Sequence, residues 1–167
     1  MKTTNHFELP DLILLTDFNG DLPTYLEAVY QVFKVDFVSS KPVFRGIRLG
    51  LKKHPLVDGK EYTFYHFTHS GTDEQNRTLD YQRTERIPFP RPMIDGSQHP
   101  YLKVWKNKRG SKERFLIYNE AENYVVVLDD RGKYILPWTA YIVDYPNQKR
   151  KLLKEYEGYL KNAETAP

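Results

Sequence analysis

The segment Arg114–Val143, RFLIYNEAENYVVVLDDRGKYILPWTAYIV, decides the fold of this chain. It contains successive apolar runs separated by turn-forming residues: 115–118, 124–128, 134–136 and 138–143. Such runs of β-branched and aromatic residues, with Asn, Asp and Gly between them, predict an antiparallel β-meander. Because side chains two apart on a strand project from one face, Thr139 and Tyr141 are expected to share a face of its last strand.

Periodicity predicts the elements on either side of this meander. A 3.6-residue apolar repeat predicts a helix from residue 21 or 24 to residue 33 or 37, and another over 146–161. Alternating or β-rich patterns predict further strands: residues 43–51, 62–68 and 102–105. A short helix is expected over 81–87, whereas Pro88, Pro90 and Pro92 favour an extended, irregular rim over 87–94.

This order of elements predicts an α+β fold in a single domain, residues 1–167. Residues 1–40 would form an N-terminal helical lead-in, residues 43–145 an antiparallel sheet core and residues 146–161 a C-terminal helix. A chain of 167 residues can bury a core without metal or disulfides, and it contains no cysteine. Its apolar start is too short and interrupted for a signal peptide or membrane span, so a cytoplasmic protein without membrane association is expected.

The positive charges are clustered, although the formal net charge is only +3. One run carries Lys103, Lys106, Lys108, Arg109, Lys112 and Arg114 against the single acid Glu113. Looser groups are Arg77, Arg83, Arg86 and Arg91, and Lys149, Arg150, Lys151 and Lys154. Clustered cations predict a phosphate-binding face. The small net excess is equally compatible with a solvated surface that acids balance elsewhere.

The candidate chemistry needs neither metal nor cofactor. No phosphate-binding glycine loop, zinc motif or nucleophile elbow is present. RNA cleavage requires only a base for the 2′-hydroxyl, an acid for the leaving oxygen and cations for the charge on phosphorus. Histidine suits the acid–base role near neutral pH. The histidines are His6, His54, His66, His69 and His99. On a strand, His66 and His69 would point to opposite faces, which argues against a shared metal.

One resemblance gives these residues roles. The pair Lys53-His54 after a strand, the basic meander, and Trp138-Thr139-Ala140-Tyr141 on its last strand resemble the barnase–EndoU–colicin–RelE group of nuclease folds. The likeness is nearest to predicted nuclease domains of phages and mobile elements and would cover residues 44–143. It implies His54 or His66 as the acid–base group, Lys53 and Arg86 on phosphate, and Thr139 as a donor. Pro55 departs from the colicin-like pattern, which favours His66 over His54.

Three functions are compatible with the sequence. The first is a toxin-like, metal-independent endoribonuclease with catalytic residues His66, His54, Arg86 and Thr139. Its substrate-binding residues would be Lys53, Arg83, Lys106, Lys108, Arg109 and Tyr141. The second is a non-enzymatic nucleic-acid-binding module that uses residues 103–114 and the C-terminal helix. The third is an adaptor that docks a protein partner, such as an inhibitor or phage component, on the rim 87–94.

Overall fold

A computed structural model describes residues 7–165; His6 lies outside them. The helices are α1 Leu22–Phe33, α2 Tyr62–Thr68, α3 Tyr81–Glu85, α4 Pro90–Asp95 and α5 Pro146–Thr165. The strands are β1 Val43–Phe44, β2 Ile47–Arg48, β3 His69–Ser70, β4 Thr78–Leu79, β5 Leu102–Arg109, β6 Lys112–Asn119, β7 Tyr124–Asp130 and β8 Ile135–Ile142. A 3₁₀-helical turn, Leu15–Phe18, precedes α1, and a π-helical segment, Lys34–Ser39, follows it. The α+β prediction is confirmed.

The predicted meander is the central sheet, with strand order β5-β6-β7-β8 and antiparallel neighbours throughout. The two-residue turn between β5 and β6 pairs Arg109 with Lys112. The β7–β8 register shifts once, since Val127 faces Thr139 whereas Leu128 faces Pro137. Trp138 is therefore the extra residue of a β-bulge, a device that re-aims a side chain locally.

The two faces of this sheet carry separate apolar cores. The first face packs under the N-terminal half of the chain, where Phe33 of α1 and Val126 of β7 are fully buried in one cluster. The second face packs under α5, where Leu152 meets the buried side chains of Trp105 and Tyr118. The Trp105 Nε1–H donates to Glu155 Oε1 at 2.6 Å, which joins α5 to β5. Helix α5 therefore fixes which part of the second face remains uncovered.

The strand prediction for residues 62–68 is wrong, because they form α2. All six residues from Thr63 to Thr68 are buried, so this helix has no exposed polar face to give it a helical sequence period. Its first backbone N–H groups are satisfied by the preceding loop: Tyr62 N–H donates to Lys53 O, and Thr63 N–H to Lys52 O. Helix α2 packs along β8, which is the free edge of the sheet.

Two further predictions are corrected. Residues 43–51 do not form one strand; β1 and β2 make a minimal hairpin whose turn, Arg45-Gly46, has positive φ at both positions (51° and 80°). The irregular rim over 87–94 is also wrong. Residues 87–90 are buried, and Pro90 and Pro92 lie in the first turn of α4, where a missing N–H costs no helical hydrogen bond.

The predictions of α1, α3 and α5 are confirmed, with α3 ending at Glu85 and α5 extending to Thr165. Among the described residues, no helix combines the length and apolar character needed to span a membrane.

Candidate nucleic-acid interface

Arg83 holds helix α2 against the edge strand β8. Its Nη1 donates to the backbone oxygens of His66 and His69 at 3.0 and 3.1 Å and to Thr139 Oγ1 at 3.0 Å. Thr139 Oγ1 in turn donates to His66 O at 3.2 Å. The carbonyls at a helix C-terminus lack intrahelical partners, and Arg83 satisfies two of them here. Arg83, Thr139 and the backbone of His66 thus meet, and Arg83 Nη1 and Thr139 Oγ1 are already hydrogen-bonded within this cluster.

The His66 ring is buried in the same place, with only 2 % of the residue exposed. It packs against Trp138 and Tyr62, at ring-centroid distances of 4.9 and 4.6 Å. Its Nε2 lies 3.0 Å from Glu74 Oε2. Burial, assisted by the charge of Arg77 and opposed by Glu74, lowers the pKa of His66 to about 4. The ring is therefore neutral at pH 7, and its buried position keeps it from a substrate outside.

Glu74 is the centre of a small polar network beside His66. Tyr62 Oη donates to Glu74 Oε2, and Arg77 Nη2 donates to Glu74 Oε1 at 2.7 Å. Burial would raise the pKa of Glu74, but the bonds from Tyr62 and Arg77 outweigh it and lower that pKa to about 2. Burial and the bond to Glu74 raise the pKa of Tyr62 to about 12. At neutral pH the carboxylate is thus charged and the phenol protonated.

Three predicted site residues lie apart from this cluster. His54 and Lys53 are exposed on the loop before α2. Arg86 Nη1 donates to Gln82 O at 3.0 Å and lies 3.7 Å from Glu85 Oε2. Within residues 7–163, no hydrogen bond or ion pair joins His54, Lys53 or Arg86 to the side chains of His66 or Thr139.

The basic run 103–114 is divided between the two faces of the sheet, because side chains alternate along β5 and β6. Lys106 lies on the first face and contacts Glu113 Oε2 at 3.0 Å and Asp130 Oδ2 at 3.1 Å. These hydrogen bonds raise the pKa of Lys106, whose charge is balanced locally. Lys108 lines an open groove at the hairpin tips together with Glu113 and Asp130. Neither lysine lies on the second face.

Arginine and lysine side chains of the second face surround an aromatic strip. The Arg114 guanidinium lies 5.5 Å and the Lys112 ammonium 5.7 Å from the Trp138 ring centre. Arg109 and Lys151 line one open groove of about 210 Å³, together with Tyr141. None of these four cations forms an ion pair with a carboxylate of the described residues. This part of the second face therefore carries four positive charges without carboxylate partners among the described residues.

A second groove, of about 340 Å³, adjoins the first along the edge of β8. It is lined by Ser70, Asp80, Gln82, Arg83, Tyr141, Ile142, Asp144, Tyr145 and Gln148. Tyr141 and Gln148 line both grooves, so the two form one continuous surface. We call them the Arg109 groove and the Asp144 groove. Together they bring Arg109, Arg83 and Tyr141 of the predicted set to one place.

Lys112, Arg114 and Lys151 belong to the predicted cationic clusters but had no individual predicted role, and they join this interface together with Trp138. Part of the signal is in the sequence: residues paired across a two-residue hairpin turn share a face. That rule places Arg109 with Lys112, and Asn107 with Arg114. Of the four predicted cations on the C-terminal helix, Lys151 lines the groove, and this selection depends on where α5 crosses the sheet.

Comparison with protein-family models, curated proteins and solved structures gave no match. The resemblance to nucleases therefore stays a prediction. In the described part of the chain, no group of three or more His, Asp or Glu side chains is arranged to hold a metal ion.

Proposed function

We propose that this protein binds single-stranded RNA on the uncovered part of the second sheet face. The observation that carries the proposal is the arrangement of Arg109, Lys112, Arg114 and Lys151, cations without carboxylate partners among the described residues, around Trp138 and Tyr141. Proteins that hold single strands combine a cationic groove for the backbone with aromatic rings on which bases stack. The exposed Tyr145, at 67 %, extends the aromatic strip beyond Tyr141.

Binding without cleavage fits the geometry better than a ribonuclease does. A general base must come within about 3 Å of the proton that it removes. His66 is 2 % exposed, and its Nε2 is bonded to Glu74. The Thr139 hydroxyl is engaged with Arg83 and a backbone oxygen. His54 is exposed, and no hydrogen bond or ion pair among the described residues joins its ring to Arg83, Arg86 or Thr139.

The test is the salt dependence of binding. A fluorescein-labelled 12-nucleotide uridine oligomer is titrated with protein by anisotropy between 50 and 300 mM KCl. Each phosphate contact with a single strand adds about −0.7 to the slope of log K against log salt, so four cations predict a slope of about −2.8. The double variant Arg109→Gln, Lys151→Gln should reduce the slope to about −1.4.

Lys103→Gln, Lys106→Gln is the matched control, because it removes the same charge from lysines that are ion-paired with Glu120, Glu113 and Asp130. Its slope should equal that of the wild type. Equal losses in the two double variants would indicate diffuse attraction and contradict the proposed face.

Cleavage is tested in parallel with the same oligomer and with total RNA in EDTA. Both substrates should stay intact through hours of incubation. Metal-independent cleavage that disappears in His54→Ala or His66→Gln would instead support the ribonuclease, and the variant that loses it would identify the acid–base histidine.

A further inference from the structure

The Asp144 groove differs in chemistry from the Arg109 groove beside it. Its polar lining consists largely of carboxylates and amides: Asp80, Asp144, Gln82 and Gln148. Its one cation is Arg83, whose Nη1 is already directed at two carbonyls and the Thr139 hydroxyl. A phosphate would meet two negative charges here. The groove instead suits an uncharged ligand that carries N–H donors.

The two carboxylates of this groove are not equivalent. Asp80 caps α3: its Oδ1 accepts from the Arg83 backbone N–H at 3.2 Å, and its Oδ2 lies 3.6 Å from Arg83 Nε. Asp144 is exposed and forms no hydrogen bond or ion pair with other described residues. Both of its oxygens are therefore available to a ligand. Tyr145 follows it directly, with 67 % of its surface exposed.

We infer that the Asp144 groove is a nucleobase site that selects guanine, an inference that rests on the RNA binding proposed above. A carboxylate accepts two parallel N–H bonds from a planar partner. Guanine is the only one of the four RNA bases with two adjacent donors, N1–H and the N2 amino group, on its Watson–Crick edge. On adenine, cytosine and uracil a ring nitrogen or carbonyl acceptor adjoins the donor and would repel the second oxygen.

The position of the groove supports the same assignment. Tyr141 and Gln148 line both grooves, so a strand whose phosphates follow Arg109 and Lys151 passes the mouth of the Asp144 groove. Single-stranded bases that are splayed from the backbone are typically stacked on aromatic side chains and read on their Watson–Crick edge. Tyr145 supplies the ring, Asp144 the pair of acceptors, and the Gln148 amide a further hydrogen-bonding group.

The experiment compares 12-nucleotide uridine oligomers that carry one central guanosine, inosine, adenosine or cytidine, by anisotropy at fixed salt. Guanosine should tighten binding about tenfold or more over uridine, within the range of one bidentate contact. Inosine keeps N1–H but lacks the N2 amino group, and it should lose most of that gain. Asp144→Asn should abolish the preference for guanosine without weakening the affinity for the all-uridine oligomer.

Asp11→Asn is the matched control, since Asp11 is an exposed carboxylate in the N-terminal segment, outside both grooves, and its loss changes the net charge equally. This variant should retain the full preference. Equal binding of all five oligomers by the wild type would overturn the guanine site while the salt-dependent RNA binding stands. Failure of every oligomer to bind would overturn both proposals. A preference that survives Asp144→Asn would also refute the assignment to this carboxylate.

Discussion

Replacement of Arg83 by methionine should separate a structural role of this arginine from a ligand-binding one. The Arg83 side chain is only 14 % exposed, and its Nη1 reaches His66 O, His69 O and Thr139 Oγ1 within 3.1 Å. Hydrogen bonds of a charged group contribute about 1.5–3 kcal/mol each, and the two hydrogens of Nη1 limit the sum to about two full bonds. Arg83→Met should therefore cost about 3–6 kcal/mol.

Urea denaturation at pH 7, followed by far-UV circular dichroism, measures this loss. For a chain of this length, a loss of about 3–6 kcal/mol corresponds to a melting temperature lower by roughly 6–24 °C. Arg86→Met is the matched control, because the Arg86 side chain is similarly buried, at 17 % exposed, but makes one hydrogen bond, to Gln82 O. This substitution should lower the free energy of unfolding by about 1.5 kcal/mol. In a Thr139→Val background the cost of Arg83→Met should fall by at least 0.5 kcal/mol, because the two side chains are in contact.

The opposite pattern would refute this reasoning. If Arg83→Met cost less than about 1 kcal/mol and additive losses were found with Thr139→Val, the three bonds would not be holding α2 against β8. If the same variant also weakened RNA binding tenfold, Arg83 would be a substrate-binding residue, as the sequence predicts. Its bonds between α2 and β8 would then not be its main role.

Two further predictions concern stability. The pKa of His66 falls from 6.5 unfolded to about 4 folded, so the unfolded chain binds the extra proton and stability decreases as the pH falls through that interval. The contribution of His66 should approach about 3 kcal/mol near pH 4 in urea titrations, and His66→Gln should lose correspondingly less stability over this interval. Glu155→Ala leaves Trp105 Nε1 and Asn107 Nδ2 without their acceptor, and it should cost about 2 kcal/mol in the same assay at pH 7. A loss below 0.5 kcal/mol would mean that water replaces Glu155.

The local sequence was sufficient to predict the central sheet and the last helix. Residues 124–128 are five apolar positions with turn-forming residues on both sides, and five of the six residues from Tyr124 to Asp129 are apolar and buried as predicted. Strands joined by short turns can pair only with their neighbours, so the meander topology followed from the turns themselves. Helix α5 has one buried stripe and one solvated face, and this arrangement gives a visible 3.6-residue period.

The local signal failed where the surroundings bury a segment on all sides. Residues 62–68 are rich in aromatic residues and threonine, which favour strands, yet they form α2 because its whole circumference is packed. The prediction of an irregular rim over residues 87–94 is wrong for a related reason. The prolines of this segment predict irregular structure, but Pro90 and Pro92 lie in the first turn of α4, where proline is compatible with a helix. That turn begins where buried Phe89 packs against Tyr124.

At the candidate interface, too, local sequence predicts some features and tertiary contacts decide the others. By itself, the sequence determined that cations cluster over residues 103–114 and that Thr139 and Tyr141 lie on the last strand of the meander. Only the tertiary structure decided which of the two faces stays open: α5 covers Trp105 but leaves Arg114 and Trp138 at the surface of their face. The bulge that re-aims Trp138 is likewise set by the β7–β8 register. Both depend on contacts between residues distant in sequence, which no local pattern of residue types specifies.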